Sequence, residues 1–106
     1  MWIYTKHGFI SIVNGDDDKL QVRAREPNVL KKLFGGKIVR TDNADYRYRC
    51  IVSRADVARV IANEIIDIDY SNFKGSVSDA KYHHVLTQVW YDTLALEECN
   101  HNFIKK

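Results

Sequence analysis

Arginine alternates with apolar or aromatic residues in two short segments of this chain. In Leu20-Gln21-Val22-Arg23-Ala24-Arg25, Arg23 and Arg25 share one parity while Val22 and Ala24 take the other. In Tyr46-Arg47-Tyr48-Arg49-Cys50-Ile51-Val52, Arg47 and Arg49 share a parity opposite Tyr48, Cys50 and Val52. Successive side chains of a strand point to opposite faces, so two such strands in one sheet would bring four guanidinium groups to one side. A guanidinium is a planar fork that binds carboxylate or phosphate through paired hydrogen bonds. His7, Phe9 and Tyr46 could add rings to that surface, and Lys37 or Arg40 could join it, depending on register. The combination suits an acidic protein surface or a second copy of the chain. It also suits single-stranded nucleic acid or a nucleotide, where rings stack on bases and cations track phosphate. The same alternation describes a solvated sheet face whose arginines cross to Asp or Glu on neighbouring strands.

The other reactive side chains form weaker patterns. The histidines are His7, His83, His84 and His101. Adjacent histidines on a helix diverge by ~100°, whereas a helical zinc pair needs two residues three or four apart. A set such as His7, His84 and Asp79 would need a tertiary coincidence, so no metal is expected. A small enzyme would draw its acid and base from His7 or His83/His84 with Asp69 or Asp79. Asp67 and Asp69 flank Ile68 at the end of a helical run, where Asp69 fits a loop-capping role. Asp16-Asp17-Asp18 lacks the alternating ligand order and distal Glu of a calcium loop and reads as a charged hairpin tip. Cys50 sits in a strand-like run, where a thiol acts as a small hydrophobe. The sequence holds no nucleophile elbow, phosphate loop, dinucleotide fingerprint, C-x-x-C or H-E-x-x-H. An enzyme is therefore not the expected class, and no cofactor is implied.

These residues need elements to position them. Residues 2–5 and 9–13 are β-rich, with Gly8 as a bend or bulge between them, and a turn cluster at 14–18 leads into the strand at 20–25. Pro27 fits the first turn of a short helix and Gly35 its end, with Val29, Leu30, Leu33 and Phe34 at helical spacing. Residues 37–41 and 46–52 read as a second hairpin around Asp42-Asn43-Ala44-Asp45. Ser53 followed by Asp56 resembles a capping box, and Val57, Ile61, Ile65 and Ile68 predict a helix over 54–68. A connection over 69–78, anchored by Tyr70 and Phe73, leads to a last helix from Asp79 to about Leu96, capped by Ser78. Trp2 and Trp90 are candidates for core anchors or an exposed contact, with packing expected for at least one of them. The order ββ-α-ββ-α-α predicts an α+β fold: one antiparallel sheet of about four strands with helices packed mainly on one face.

Composition bounds the reading. A chain of 106 residues, 45% of them apolar, is expected to form a single domain over 1–106 and to bury about two thirds of its unfolded surface. A net charge of +2 is too small to imply nucleic acid by itself. Its distribution is uneven. Residues 1–53 hold ten Lys/Arg and six Asp/Glu, a balance of +4, and residues 54–106 hold six and eight, a balance of −2. Such asymmetry fits an anionic partner for the first half or attraction between the halves, within a chain or across a dimer. No apolar run reaches the ~18 residues of a membrane span, and the opening residues lead us to expect no export signal. With Cys50 and Cys99 as the only thiols, a reduced, cytoplasmic setting is expected.

Four segments, taken in order, carry a resemblance: Met1-Trp2-Ile3-Tyr4-Thr5-Lys6-His7-Gly8-Phe9, Val22-Arg23-Ala24-Arg25, Asp45-Tyr46-Arg47-Tyr48-Arg49 and Ile68-Asp69-Tyr70-Ser71-Asn72-Phe73-Lys74. Together they resemble a family of small bacterial and phage-type proteins without an assigned activity. The resemblance spans nearly the whole chain. It implies a stand-alone single-domain protein and carries no catalytic residue. The expected function is binding, through Arg23, Arg25, Arg47 and Arg49 with His7 and Tyr46, to an acidic protein partner or to a second copy. Nucleic-acid or nucleotide binding by the same face is the alternative, and the small enzyme a further one.

Overall fold

The computed structural model describes residues 1–99. Within them the chain forms strands β1 (Trp2–Thr5), β2 (Gly8–Asn14) and β3 (Lys19–Ala24), helix α1 (Pro27–Leu33), strands β4 (Val39–Arg40) and β5 (Tyr48–Ser53), and helix α2 (Arg54–Ile66). Helices α3 (Phe73–Ser76), α4 (Ala80–Asp92) and α5 (Leu94–Cys99) follow. The fold is α+β. Its one described sheet is antiparallel, with five strands in the order β1-β2-β3-β5-β4. By its contacts the chain divides into two compact units, Met1–Asp69 and Tyr70–Lys106.

The fifth strand comes from Gly8. The chain does not bend there but reverses, so that Thr5 pairs with Gly8 and Tyr4 with Phe9. The Thr5 hydroxyl closes the turn. It accepts from the His7 amide at 3.0 Å and donates to the Gly8 carbonyl at 3.0 Å. Gly8 has φ +146°, and a Cβ there would stand 2.8 Å from the Cβ of Val29 on α1. Only glycine satisfies both the backbone and the close approach of that helix.

The core of the first unit lies between the sheet and helices α1 and α2. Ile10, Ile12, Val22, Ala24 and Cys50 project from the strands to meet Val29 and Leu30 of α1 and Val57 of α2. The helix α1 begins with Pro27, whose fixed φ and missing N–H suit a first turn. It ends at Gly35, φ +65°, whose amide reaches back to the Leu30 carbonyl. At the start of α2, Ser53 caps as expected, its hydroxyl accepting from the Asp56 amide at 3.1 Å. Two residues fewer than expected are helical, because Asp67 leaves helical geometry after Ile66. The hairpin of β4 and β5 is also shorter than expected. Only Val39 and Arg40 pair with Arg49 and Tyr48, and Tyr46 falls in the loop.

In the second unit, Tyr70 packs against Phe73 with ring centroids 5.5 Å apart. Asn72 caps the single turn α3, accepting from the Gly75 amide at 3.2 Å. The cap of α4 is Asp79, whose carboxylate accepts from the Lys81 amide at 3.0 Å, rather than Ser78. The expected single helix breaks at Thr93, whose hydroxyl donates to the Trp90 carbonyl at 2.7 Å. Side-chain competition of this kind weakens a helix at Ser and Thr. His101 lies outside the described residues.

Candidate binding face

The side of the sheet away from α1 and α2 collects the arginines. Arg23 stands directly opposite Arg49 in the β3–β5 register. Residues paired in this way have Cβ atoms roughly 4.5–5.5 Å apart, so two positive charges face each other at close range. The strand residues sharing this face include Trp2, Tyr4, Phe9, Ser11, Gln21 and Ile51, and none of the strand positions on it is acidic. No strand residue neutralises the repulsion; the carboxylate at this cluster comes from the loop before β5, where Asp45 lies 3.5 Å from the Arg25 guanidinium.

Tyr46 closes over this pair. The ring is 3% exposed. The guanidinium of Arg23 lies 4.6 Å from its centroid and that of Arg25 4.5 Å. Arg49 donates to the Tyr46 carbonyl at 3.1 Å, and Arg25 donates to the Asp45 carbonyl at 2.9 Å. The arginines thus hold the loop before β5 from beneath. Arg23 also donates to the Ser11 hydroxyl at 2.8 Å. The Nε atoms of Arg23 and Arg49 are buried with no hydrogen-bond partner among the described residues. A buried donor left unmade carries a desolvation penalty.

Beside the arginines runs an aromatic strip. Tyr4 stacks on Phe9 at 4.6 Å, Trp2 meets Phe9 edge-on at 5.8 Å, and Phe9 reaches Tyr46 at 6.3 Å. Burial raises the Tyr4 hydroxyl pKa, and the nearby Tyr46 phenol raises it further. On the other side of Arg49 is a depression of about 490 Å³, lined by Gln21, Lys37, Val39, Arg49, Cys50 and Ile51. Val39 and Ile51 are half exposed there.

The expected site residues separate on the structure. Arg23, Arg25, Arg49 and Tyr46 come together as one cluster. Arg47 is exposed, in the loop just before β5, and its side chain has no partner among the described residues. His7 does not join the arginine face. Its place in the β1–β2 turn carries the ring to α2, where Nε2 stands 3.7 Å from a Glu64 oxygen. Lys37 lines the depression, whereas Arg40 pairs with Asp42 at 2.6 Å and lies over the Tyr48 ring.

Of the groups weighed for acid–base work, Asp79 and His83 have structural contacts. Asp79 caps α4, and the Nδ1 of His83 bonds the Lys74 carbonyl. His84 and Asp69 are exposed. No group of three or more His, Cys, Asp or Glu is placed to hold a metal among the described residues. Burial raises the pKa of the Cys50 thiol, which fits its place as a small apolar side chain in the core. Asp16, Asp17 and Asp18 form the hairpin tip, with Asp17 at φ +56° and the Asp18 carbonyl accepting from the Arg54 amide. Neither tryptophan is a core anchor. Trp2 is 66% exposed and Trp90 54%, the latter resting against the Lys74 ammonium at 4.9 Å.

Sequence reasoning placed Phe9 near the arginine surface but missed Trp2 and Tyr4 beside it. Their signal was available, since Trp2 and Tyr4 share a parity and Phe9 follows a glycine. It becomes visible only once Gly8 is read as a reversal rather than a bend. No protein-family model, curated protein or solved structure matches the chain. No described helix is long and apolar enough to cross a membrane.

Proposed function

We propose that the chain is a non-enzymatic interaction protein whose sheet face opposite α1 and α2 receives an acidic segment of a partner protein. The observation that carries this reading is the Arg23–Arg49 pair, two cations in register on a face whose strands bring no carboxylate. A partner carboxylate would relieve that repulsion. Trp2, Val39 and Ile51, all at least half exposed, surround the cluster with apolar area. Arginine and tryptophan beside exposed apolar side chains are the composition of a protein contact. Base stacking is less well served. Tyr46 is buried, and Tyr4 and Phe9 stack on one another, so Trp2 is the main open ring. A reduced cytoplasmic setting belongs to the same proposal, supported by the free thiol of Cys50.

The test uses two labelled probes of equal charge, an oligoglutamate peptide and a single-stranded oligothymidylate, in anisotropy titrations at two salt concentrations. The peptide should bind more tightly. Arg25→Glu with Arg47→Glu should weaken it at least about tenfold, the equivalent of about 1.4 kcal/mol, while the chain stays folded and the melting temperature falls by no more than about 8 °C from the lost Arg25 contacts with Tyr46 and Asp45. Tighter oligothymidylate binding with a steep salt slope would replace this reading by nucleic-acid binding. Binding of neither probe would make the face a solvated one.

A further inference from the structure

The two edges of the sheet are built differently. At one edge, β4 has two residues and ends in Arg40, with Lys37 just before it. Shortness and charge are devices by which proteins stop edge strands from pairing with another chain. At the other edge, β1 reads Trp2-Ile3-Tyr4-Thr5, with no charge, proline or bulge. On the helix side that edge is only partly covered: Ile3 is half-buried against the core and Thr5 is buried, while α1 and α2 lie mainly over β2, β3 and β5. Trp2 is 66% exposed on the arginine side. On the helix side, Met1 and Ile3 border an open apolar trough of about 450 Å³ that runs to Ile61 and Ile65 of α2.

The hydrogen-bond phase of β1 is set by Met1 and Ile12, which exchange both backbone bonds at 2.8 Å. In an antiparallel ladder such pairs alternate with pairs that exchange none. Ile3 and Thr5 therefore bond inward to Ile10 and Gly8. The N–H and C=O groups of Trp2 and Tyr4 point outward, away from β2.

We infer that β1 pairs antiparallel with β1 of a second copy, about a two-fold axis at Ile3. In that register Trp2 faces Tyr4 of the other copy and the reverse, so four outward N–H groups meet four outward C=O groups. The strand is complementary to itself. The facing side chains on the arginine side are aromatic pairs, which stabilise cross-strand contacts. Lys6 falls beyond the paired stretch. The axis is perpendicular to the sheet, and both arginine clusters lie on the same side of one continuous sheet. This goes beyond the proposed acidic-partner binding, to which it would add a second, identical site.

Sedimentation or light scattering of the full chain at about 100 μM tests it, together with amide exchange of Trp2 and Tyr4. The expected mass is twice the 12.3 kDa of one chain. The Trp2 and Tyr4 amides should be protected at high concentration and lose protection on dilution. Trp2→Pro removes one outward donor per copy without touching the β1–β2 ladder, a place where an edge tolerates proline. It should raise the dimer Kd about tenfold or more. Trp2→Lys should do the same if the proline variant fails to fold. A single-chain mass for the unmodified protein overturns the inference. So does a dimer that persists in a folded Trp2 variant, or one whose Trp2 and Tyr4 amides stay unprotected. If Arg25→Glu with Arg47→Glu dissociates the dimer and Trp2→Lys does not, copies associate through the arginine face and the edge is not the interface. A monomer that still binds oligoglutamate refutes the edge pairing alone and leaves the acidic-partner reading standing.

Discussion

Replacing Tyr46 by leucine asks whether the arginines hold the loop before β5 or merely sit beside it. Leucine keeps most of the buried apolar volume but removes the ring face under Arg23 and Arg25 and the edge against Phe9. The Arg23 contact is half-buried and is worth about 1 kcal/mol, and the Arg25 contact, with a side chain 58% exposed, about 0.5 kcal/mol after screening. The tilted pair with Phe9 adds about 0.5 kcal/mol. The sum is about 2 kcal/mol, or roughly 8–16 °C in melting temperature for a domain of this size. Urea unfolding followed by circular dichroism measures it. Tyr46→Phe keeps the ring and should lose far less. A double-mutant cycle of Tyr46→Leu with Arg23→Met should show a coupling of about 1 kcal/mol. If Tyr46→Leu lies within about 0.5 kcal/mol of the unmodified protein and the cycle shows no coupling, the guanidinium–ring contacts do not organise the face.

Three further outcomes follow from the same geometry. Gly8→Ala combines a positive φ with a Cβ 2.8 Å from Val29, so it should destabilise by at least about 2 kcal/mol; Val29→Ala should recover part of that loss in thermal melts, and a neutral Gly8→Ala would refute the close approach. Ser53→Ala should cost about 1 kcal/mol in urea unfolding while Ser53→Asp costs little, because either oxygen can accept from the Asp56 amide. In a Cys99→Ser background, the Cys50 thiol should react slowly with a disulfide reagent at pH 8 and rapidly once urea is added, since burial raises its pKa in the folded chain. By the same linkage its contribution to stability is intact below the ordinary thiol range and is lost as pH rises through and above it; fast reaction of the folded protein would contradict the burial.

Much of the fold was legible because it depends on short-range pattern. The alternation of Leu20, Val22 and Ala24 with Gln21 and Arg23 marks β3, and the two faces fall where that parity puts them. Pro27 and Gly35 bracket α1, and Ser53 starts α2, since each satisfies a backbone need within four residues. Boundaries were less legible where two local solutions compete. Ser78 and Asp79 are both capping residues, and the carboxylate of Asp79 takes the cap. Thr93 carries no signal strong enough to announce a break until its hydroxyl bonds back to Trp90.

The candidate site divides in the same way. That Arg23 and Arg49 lie on the face opposite the core was readable from parity, a property of each strand alone. That they stand opposite one another depends on the β3–β5 register, set by strands separated by a helix and another strand. Tyr46 was expected in a strand with a ring near solvent, yet it lies in a loop and is buried, because guanidiniums from two different strands hold it there. His7 left the arginine face for Glu64 once the chain reversed at Gly8. Periodicity sufficed for which face each side chain takes; only the packed chain decided which residues meet across strands, because register and loop closure join positions far apart in sequence.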